Sequence, residues 1–262
     1  MASTSDLPLS SLTAEERRFL ERAREMVESC ADRGTPRFTA FLDERQQRIA
    51  RSVGSVPGVE CGFFGGYDGA ERALFYAVPD YLLSADGEEN LFPIVPVTAA
   101  YPERFSLEHR DFLGALMNLG LRREAIGDIL IGSGVAVLFL WEPVAELVLT
   151  ELTRVGRVGI RLARGKPSEL PSAHSFETIT GTVSSMRLDC VVSFLTRESR
   201  DDSARLVRSG LVTVNAAVVE SPSAKVGEGD KISVRGHGKF IVGEIGAPTK
   251  KDRLHLTCQK YR

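Results

Sequence analysis

Hydrophobic residues follow helical spacing at the start of the chain. After Thr13-Ala14-Glu15-Glu16, which has the form of a capping box, apolar residues recur every three or four positions up to Cys30. The same spacing predicts a second helix from about Thr39 to Val53. A cluster of Gly, Ser and Pro at 54–58 predicts a turn that ends this region. Residues 1–57 are therefore predicted to form an N-terminal helical segment.

The middle of the chain alternates between extended and helical spacing. Helices are predicted over 106–119 and from Pro143 to about Arg154, since Pro is favoured in the first turn of a helix. Glycine-rich turns are expected to join two pairs of strands into hairpins. The predicted strands are residues 59–64, 73–78, 94–99, 129–131, 135–140 and 158–162. Strands interleaved with two helices predict an α+β domain over residues 58–164, with the helices on one face of a sheet.

A change from helical spacing to alternation at Gly210 characterises the last region, residues 186–262. Apolar positions before Gly210 predict two short helices, and those after it predict strands. Ser209-Gly210 is typical of a helix end, and Asn215 is typical of a tight turn. The preceding residues, 165–185, are rich in Gly, Pro, Ser and Thr, which predicts a linker.

The net charge of −2 conceals an uneven distribution of charge along the chain. Residues 186–262 carry 14 Lys and Arg against 9 Asp and Glu, whereas residues 1–185 carry 19 against 26. The C-terminal region is therefore cationic and the rest of the chain is acidic. A cationic module indicates a polyanionic partner, because neutralising phosphates and releasing their counterions provides most of the sequence-independent affinity for nucleic acid.

Composition excludes several other classes of protein. A hydrophobic content of 43% and a charged content of 26% argue against wholesale disorder. The longest apolar run, Val135–Trp141, is too short to span a bilayer. The start of the chain, MASTSDLPLSSL, lacks the cationic and apolar parts of a secretory signal, so we expect a cytoplasmic protein. The four cysteines are scattered without a Cys-x-x-Cys pair, so neither a disulfide framework nor a zinc site is predicted.

The C-terminal region resembles the RNA-binding domain named after small-subunit ribosomal protein S-four. The matching stretches are Arg187-Leu188-Asp189, Ser199-Arg200, residues 206–215 and residues 226–232. The resemblance implies that RNA phosphates are contacted at the start of each of the two helices, where Arg187 and Arg200 lie. A phosphate there could also accept hydrogen bonds from the first backbone N–H groups of a helix.

Further cations on or beside these helices, and in the strands that follow, lead us to expect one basic face built from both halves of the region. The candidate RNA-binding residues are Arg187, Arg197, Arg200, Arg205, Arg208, Lys231, Arg235 and Lys239. Asp201 and Asp202 depart from the family pattern, in which small or basic residues follow Ser-Arg. These two carboxylates would either weaken RNA binding or cap the second helix.

The resemblance extends through most of the chain to the YlmH family, over roughly residues 40–262. It is carried by residues 109–116, 119–130, 234–240 and 249–253. Proteins of this family have a helical start, an RNA-recognition-like middle domain and a C-terminal S-four domain. The expected fold is therefore α+β, with a helical segment, an RRM-like or ferredoxin-like middle domain that binds RNA, and an S-four (αL-motif) domain. Cyanobacterial and plastid relatives are named photosystem II S-four domain proteins.

Family membership would imply a non-enzymatic, monomeric protein that binds ribosomal RNA or tRNA and acts on the large ribosomal subunit in quality control or translation. Two other functions stay open: an RNA-modifying enzyme with an unrecognised site in the middle domain, and an adaptor at a protein complex such as photosystem II. Arg187-Leu188-Asp189 is similar to the catalytic motif of pseudouridine synthases, but Asp189 begins a short helix here instead of lying in a large catalytic domain. We therefore predict no catalytic residue, no metal and no cofactor.

Overall fold

The computed structural model describes residues 12–83, 91–172, 176–249 and 253–261, which divide into a first unit, 1–173, and a second unit, 174–262. The N-terminal stretch MASTSDLPLSSL, on which the expectation of a cytoplasmic protein depends, lies outside the described residues, apart from Leu12. Lys250, Lys251 and Asp252, which contribute to the family resemblance, also lie outside them.

Helix α1 (Ala14–Arg33) begins where the sequence predicts it. The Thr13 hydroxyl accepts a hydrogen bond from the Glu16 N–H at 3.2 Å, and the Glu16 carboxylate accepts one from the Thr13 N–H at 2.8 Å. Both halves of the predicted capping box are therefore confirmed. The helix ends at Gly34, whose φ of 62° is the left-handed conformation that glycine adopts without steric cost.

Strand β1 (Arg37–Leu42) occupies the first part of the helix that was predicted from Thr39 to Val53. Only α2 (Glu44–Ala50) is helical there, and the Asp43 side chain caps it by accepting from the Gln46 N–H. The prediction was wrong because Phe and Thr side chains favour a strand once a partner is present. Here the Thr39 hydroxyl also accepts a hydrogen bond from the Phe75 N–H, 36 residues further along the chain.

A three-stranded antiparallel sheet joins β1 to the predicted first hairpin, which consists of β2 (Val59–Phe64) and β3 (Ala73–Pro79). Strand β3 lies in the centre, with β1 on one side and β2 on the other. Helix α1 packs on this sheet through Ala23, Val27 and Cys30. The boundary predicted at residue 57 therefore runs through a sheet, because β1 belongs with strands that follow the boundary.

A second, four-stranded sheet follows the short helix α3 (Asp80–Leu83) and has the predicted ferredoxin-like arrangement. Its elements occur in the order strand, helix, two strands, helix, strand. They are β4 (Ile94–Ala100), α4 (His109–Asn118), β5 (Ile126–Ile131), β6 (Val135–Trp141), α5 (Glu142–Glu151) and β9 (Arg161–Arg164). The strands are arranged β5-β6-β4-β9. Two very short strands, β7 (Arg154–Val155) and β8 (Val158–Gly159), pair with each other after α5.

Both faces of this second sheet pack against other parts of the first unit. Helices α4 and α5 cover one face through a core that includes Phe112, Leu116 and Val148. On the opposite face, Leu130, Val137 and Phe139 pack with Phe41 and Leu74 of the first sheet. RNA-recognition motifs stack bases on the sheet face that lies away from their helices. The part of that face formed by β5 and β6 is buried here, so bases cannot stack on Val137 or Phe139.

Asp128, at the start of β5, connects the second sheet to the loop that precedes β3. Its carboxylate accepts hydrogen bonds from the Tyr67 hydroxyl at 2.7 Å and from the backbone N–H groups of Glu71 and Arg72 at 2.7 and 3.1 Å. Burial and the hydrogen bond to Asp128 raise the pKa of Tyr67 well above its usual value, so this hydroxyl stays a donor. The Arg72 guanidinium in turn donates to the carbonyls of Phe41 and Ile126, at 3.0 Å in each case.

In the second unit, strand β10 (Phe176–Val183) lies inside the segment predicted as a linker over 165–185. All eight of its residues pair with β15 (Leu254–Tyr261) in one unbroken antiparallel register. The linker prediction was wrong here because the sequence Phe-Glu-Thr-Ile-Thr-Gly-Thr-Val is polar enough to suggest an exposed connection. Its Thr, Ile and Val residues nevertheless favour extended backbone.

Two helices and a six-stranded sheet make up the second unit, as the S-four resemblance implies in part. The sheet order is β10-β15-β14-β13-β11-β12. A φ of 50° at Asn215 confirms the predicted tight turn between β11 and β12. The elements between β10 and β15 are α6 (Leu188–Thr196), α7 (Arg200–Arg208), β11 (Val212–Val214), β12 (Ala217–Val218), β13 (Lys231–Val234) and β14 (Gly238–Pro248).

The helices of the second unit pack on one face of its sheet. Val191, Leu195 and Val207 of the helices share a core with Ile232 and Phe240 of the strands. Because side chains alternate between the two faces of a strand, the residues next to these buried positions point away from the helices. This alternation determines which of the candidate cations lie on the same surface.

Replacing Asp128 by Ala should destabilise the first unit by about 2–4 kcal/mol, because it leaves the Tyr67 hydroxyl and two backbone N–H groups without their acceptor. Urea unfolding followed by the fluorescence of Trp141, which is the chain's single tryptophan and lies in β6, would measure the loss. Asp68→Ala is the control, since Asp68 is exposed, and it should change stability by less than about 0.5 kcal/mol. Equal effects of the two substitutions would contradict the proposed role of Asp128.

Candidate nucleic-acid interface

The carboxylate of Asp189 contacts both Arg187 and Arg200, the two arginines at the helix starts where phosphate contacts are expected. Arg187 donates to Asp189 through both Nε, 3.1 Å from Oδ1, and Nη2, 2.9 Å from Oδ2. Arg200 approaches the same carboxylate, with its Nε 3.5 Å from Oδ2. The start of α6 and the start of α7 are thereby linked by charge. We call these three residues the Arg–Asp–Arg cluster.

Asp189 is buried, whereas its two partners remain open to solvent. The residue is 4% exposed, and the Arg187 and Arg200 side chains are 41% and 58% exposed. The hydrogen bonds from Arg187 lower the pKa of Asp189 to about 2, against the opposing effect of burial, and Arg200 contributes through its charge. The Cys190 N–H also donates to the carboxylate, at 2.9 Å. Asp189 is therefore ionised at neutral pH and holds both guanidinium groups in place.

The backbone at the start of α6 is not available to a phosphate in the way that the sequence suggests. The Leu188 N–H donates to the Ala224 carbonyl at 2.8 Å, and the Asp189 N–H donates to the Pro222 carbonyl at 3.0 Å. These bonds tie the helix to the loop before β13. A phosphate at this end of α6 would therefore meet the guanidinium groups instead of these two backbone N–H groups.

The two aspartates that follow Arg200 differ in their roles. The Ser199 hydroxyl caps α7 by accepting from the Asp202 N–H at 3.1 Å, and it donates to the Asp202 carboxylate at 2.6 Å. Asp202 also forms an ion pair with Arg205. The capping interpretation therefore applies to Asp202, and Arg205 is partly neutralised. Asp201 is exposed beside Arg200, where it lowers the local positive potential.

Arg197 and Arg208 lie at the C-terminal ends of the two helices. Arg197 follows α6 with a φ of 60°, the left-handed conformation that ends a helix, and its side chain is exposed. Arg208 is the last residue of α7 and is also exposed. Both cations complement the negative end of a helix dipole, which accounts for their positions without an RNA contact.

The remaining candidates do not share one surface with the helices. Ile232 and Val234 of β13 point into the core below the helices, so Lys231 points to the other face of the sheet. Lys239 precedes the buried Phe240 of β14 and points the same way. Arg235 lies in the turn between these two strands and is exposed. The expectation of one basic face built from both halves of the region is therefore wrong.

Candidate sites of other kinds receive little support from the described parts of the chain. Within the described residues, no three His, Cys, Asp or Glu side chains are grouped so that they could hold a metal ion. No helix in the same residues is long and apolar enough to cross a membrane. Asp128 is fully engaged by backbone and tyrosine donors that belong to the fold.

Replacing Asp189 by Asn should destabilise the second unit by on the order of 2 kcal/mol at pH 7, since a pKa of about 2 lies nearly two units below the usual value. A lowered pKa contributes stability above the usual value, about pH 4, and the contribution disappears as the pH falls towards 2. The difference between wild type and Asp189→Asn should therefore shrink below pH 4. Urea unfolding followed by the NMR signals of α6 would measure it. Asp201→Asn serves as the exposed control, and a difference that does not depend on pH would exclude the charge as the cause.

Comparison with known families matches two parts of the chain. Residues 88–169 match the family described as "Putative RNA-binding domain in YlmH". Residues 186–232 match the S4 domain. The second match contains the whole Arg–Asp–Arg cluster and both helices that carry it.

Similar whole proteins are also known. The chain is 37% identical over 250 residues to "Ribosome-associated protein quality control protein P2" of Bacillus subtilis (strain 168), covering 95% of this chain and 96% of that protein. A solved structure, "Cell division protein ylmH from Streptococcus pneumoniae", is 25% identical with a TM-score of 0.48, and the match covers 59% of this chain and 93% of that one. With more than a third of its residues identical over nearly the full length of the Bacillus protein, and with matches to both the YlmH RNA-binding domain and the S4 domain, the chain belongs to the YlmH family.

Proposed function

We propose that this protein is a non-enzymatic RNA-binding protein that associates with the large ribosomal subunit in the cytoplasm and contributes to ribosome-associated quality control. The observation that carries the proposal is the Arg–Asp–Arg cluster, in which one buried carboxylate orients two exposed guanidinium groups. The name of the Bacillus relative supports the ribosomal part of the proposal. Ribosomal RNA and tRNA are the proposed ligands.

The cluster suits a phosphate backbone for a physical reason. An isolated surface arginine loses side-chain entropy when it binds, whereas Asp189 already restricts Arg187 through two hydrogen bonds. Guanidinium groups present N–H donors in the planar arrangement that matches phosphate oxygens. Two such groups on neighbouring helix starts can contact adjacent phosphates of a folded RNA without reading its sequence.

The structure of the middle domain limits the contacts that it can make with RNA. The part of its sheet face that β5 and β6 form opposite the helices is buried against the first sheet, so bases cannot stack on those two strands. Any RNA contact of this domain would have to come from its helices, loops, sheet edges or other strands. We therefore assign the main phosphate contacts to the second unit, whose cationic sequence balance agrees with that role.

Arg187→Ala and Arg200→Ala should each weaken the binding of a folded RNA hairpin by the intact protein. Each substitution should lower the slope of log affinity against log salt by about one, as expected for one lost phosphate contact. Because both arginines share Asp189, the effects of the two substitutions should not add. Fluorescence anisotropy between 50 and 200 mM salt, on the order of the range where such effects are large, would measure this.

Arg22→Ala is the matched control, since Arg22 is exposed on α1 and its loss changes the net charge by the same amount. Its salt slope should equal that of the wild type. Identical slopes for all four proteins would show that the cluster does not contact phosphate.

The intact protein should sediment with large ribosomal subunits through a low-salt gradient of cell extract. The Arg187→Ala/Arg200→Ala double variant should shift towards the top of the gradient, whereas Arg22→Ala should remain with the subunits. The bound RNA can then be identified by crosslinking and sequencing. Wild-type protein that stays at the top, even when ribosomes are split or stalled, would contradict the ribosomal proposal and favour a free RNA substrate.

A further inference from the structure

The sheet of the second unit has one face that its helices do not cover. Helix α6 lies over the other face, where the ring of Phe194 occupies the space that a side chain at Gly181 would need. Val183, Ile232, Phe240 and other buried residues point to that helical side. The alternate residues of the same strands therefore form a separate surface, which we call the open face.

Strand register arranges the open face into rows that cross the sheet. One row contains a residue from each of the six strands, and neighbouring members of the row are register partners. The exception is Tyr261 and Lys239, which lie next to the paired residues Lys260 and Phe240. Its members are Phe176, Tyr261, Lys239, Ser233, Thr213 and Val218. The next row on the same face consists of Thr178, Gln259, Ile241 and Lys231.

The chemistry of these two rows is unlike that of a protein-docking surface. They carry two lysines and several hydroxyl or amide groups, and no Asp or Glu is among them. Apart from Phe176 and Tyr261, which contact each other, their apolar side chains are separated by polar ones, so they form no large apolar patch. These ten residues carry positive charge and no carboxylate, and such a combination is complementary to phosphate.

An aromatic pair lies at one end of the first row. The rings of Phe176 and Tyr261 meet edge to face, with centroids 5.0 Å apart and an interplanar angle of 69°. The Lys239 Nζ lies 4.9 Å from the centroid of the Tyr261 ring. Phe176 remains 40% exposed, which is a large fraction for a phenylalanine. Exposed aromatic rings beside lysines are the combination on which single-stranded nucleic acids stack their bases.

We propose that the open face binds unpaired RNA nucleotides, with a base stacked on the exposed Phe176 ring, which the Tyr261 ring holds in place through its edge-to-face contact, and with phosphates contacted by Lys239 and Lys231. The inference rests on the proposed RNA-binding function and extends it. The Arg–Asp–Arg cluster recognises folded RNA by its phosphates, and the open face adds a contact to a single strand. The two surfaces lie on opposite sides of one sheet, so they bind different parts of an RNA.

Binding of a labelled ten-nucleotide uridine strand and of a labelled RNA hairpin by the intact protein tests this division. Phe176→Ala and Tyr261→Ala should each weaken uridine-strand binding about tenfold, which corresponds to the lower part of the range for one base stacked on an aromatic ring. Tyr261→Phe keeps the ring and should bind as the wild type does. Lys239→Gln, which removes no aromatic ring, should weaken uridine-strand binding and reduce its salt dependence.

The Arg187→Ala/Arg200→Ala variant provides the opposite control, with weakened hairpin binding and nearly unchanged uridine-strand binding. Ultraviolet crosslinking of the uridine strand, followed by mass spectrometry, should identify the peptides that contain Phe176 or Tyr261. Unchanged uridine-strand binding in Phe176→Ala, Tyr261→Ala and Lys239→Gln, or crosslinks confined to the two helices, would overturn the inference while leaving the proposed function intact. Failure of the wild type to bind either RNA would instead reject the proposed function.

Discussion

The geometry of the candidate site depends on one buried ion pair. Asp189 is removed from water at the start of α6, and a carboxylate in that position is retained only if cations compensate it. Arg187 and Arg200 provide that compensation from two different helix starts. Buried ion pairs contribute little net stability compared with apolar packing, so the benefit lies in fixed geometry. In the Arg-Leu-Asp sequence, Asp189 therefore has a structural role, which is to fix the positions of two guanidinium groups.

Local signals in the sequence account for much of the fold. The Thr13–Glu16 capping box, the two hairpins and the turn at Asn215 involve residues close together in the chain, and all of them were predicted. Strands β1 and β10 were missed because each depends on a distant partner, β3 or β15. The periodicity of apolar residues indicates whether a segment is buried on one face, but not which segment lies beside it. Strand pairing between residues far apart in the chain therefore cannot be predicted from periodicity.

The candidate site was predictable to a similar extent. Alternation of Ile232 and Val234 with Lys231 already implied that Lys231 faces away from the helices, so that signal was present in the sequence. The role of Asp189 was not accessible, because it requires Arg200 to come within 3.5 Å across a helix connection. Phe176 and Tyr261 were missed for the same reason, since 85 residues separate two rings that strand pairing places side by side.

The first sheet covers part of the surface on which an RNA-recognition motif binds nucleic acid. It lies on the flat side of the four-stranded sheet and covers Leu130, Val137 and Phe139 with Phe41 and Leu74. The stretch that matches the RNA-binding domain family, residues 88–169, is therefore shorter than the compact unit to which it belongs, residues 1–173. Cut out on its own, this stretch would present an apolar sheet to water, and its behaviour in solution would reflect self-association instead of its native partners.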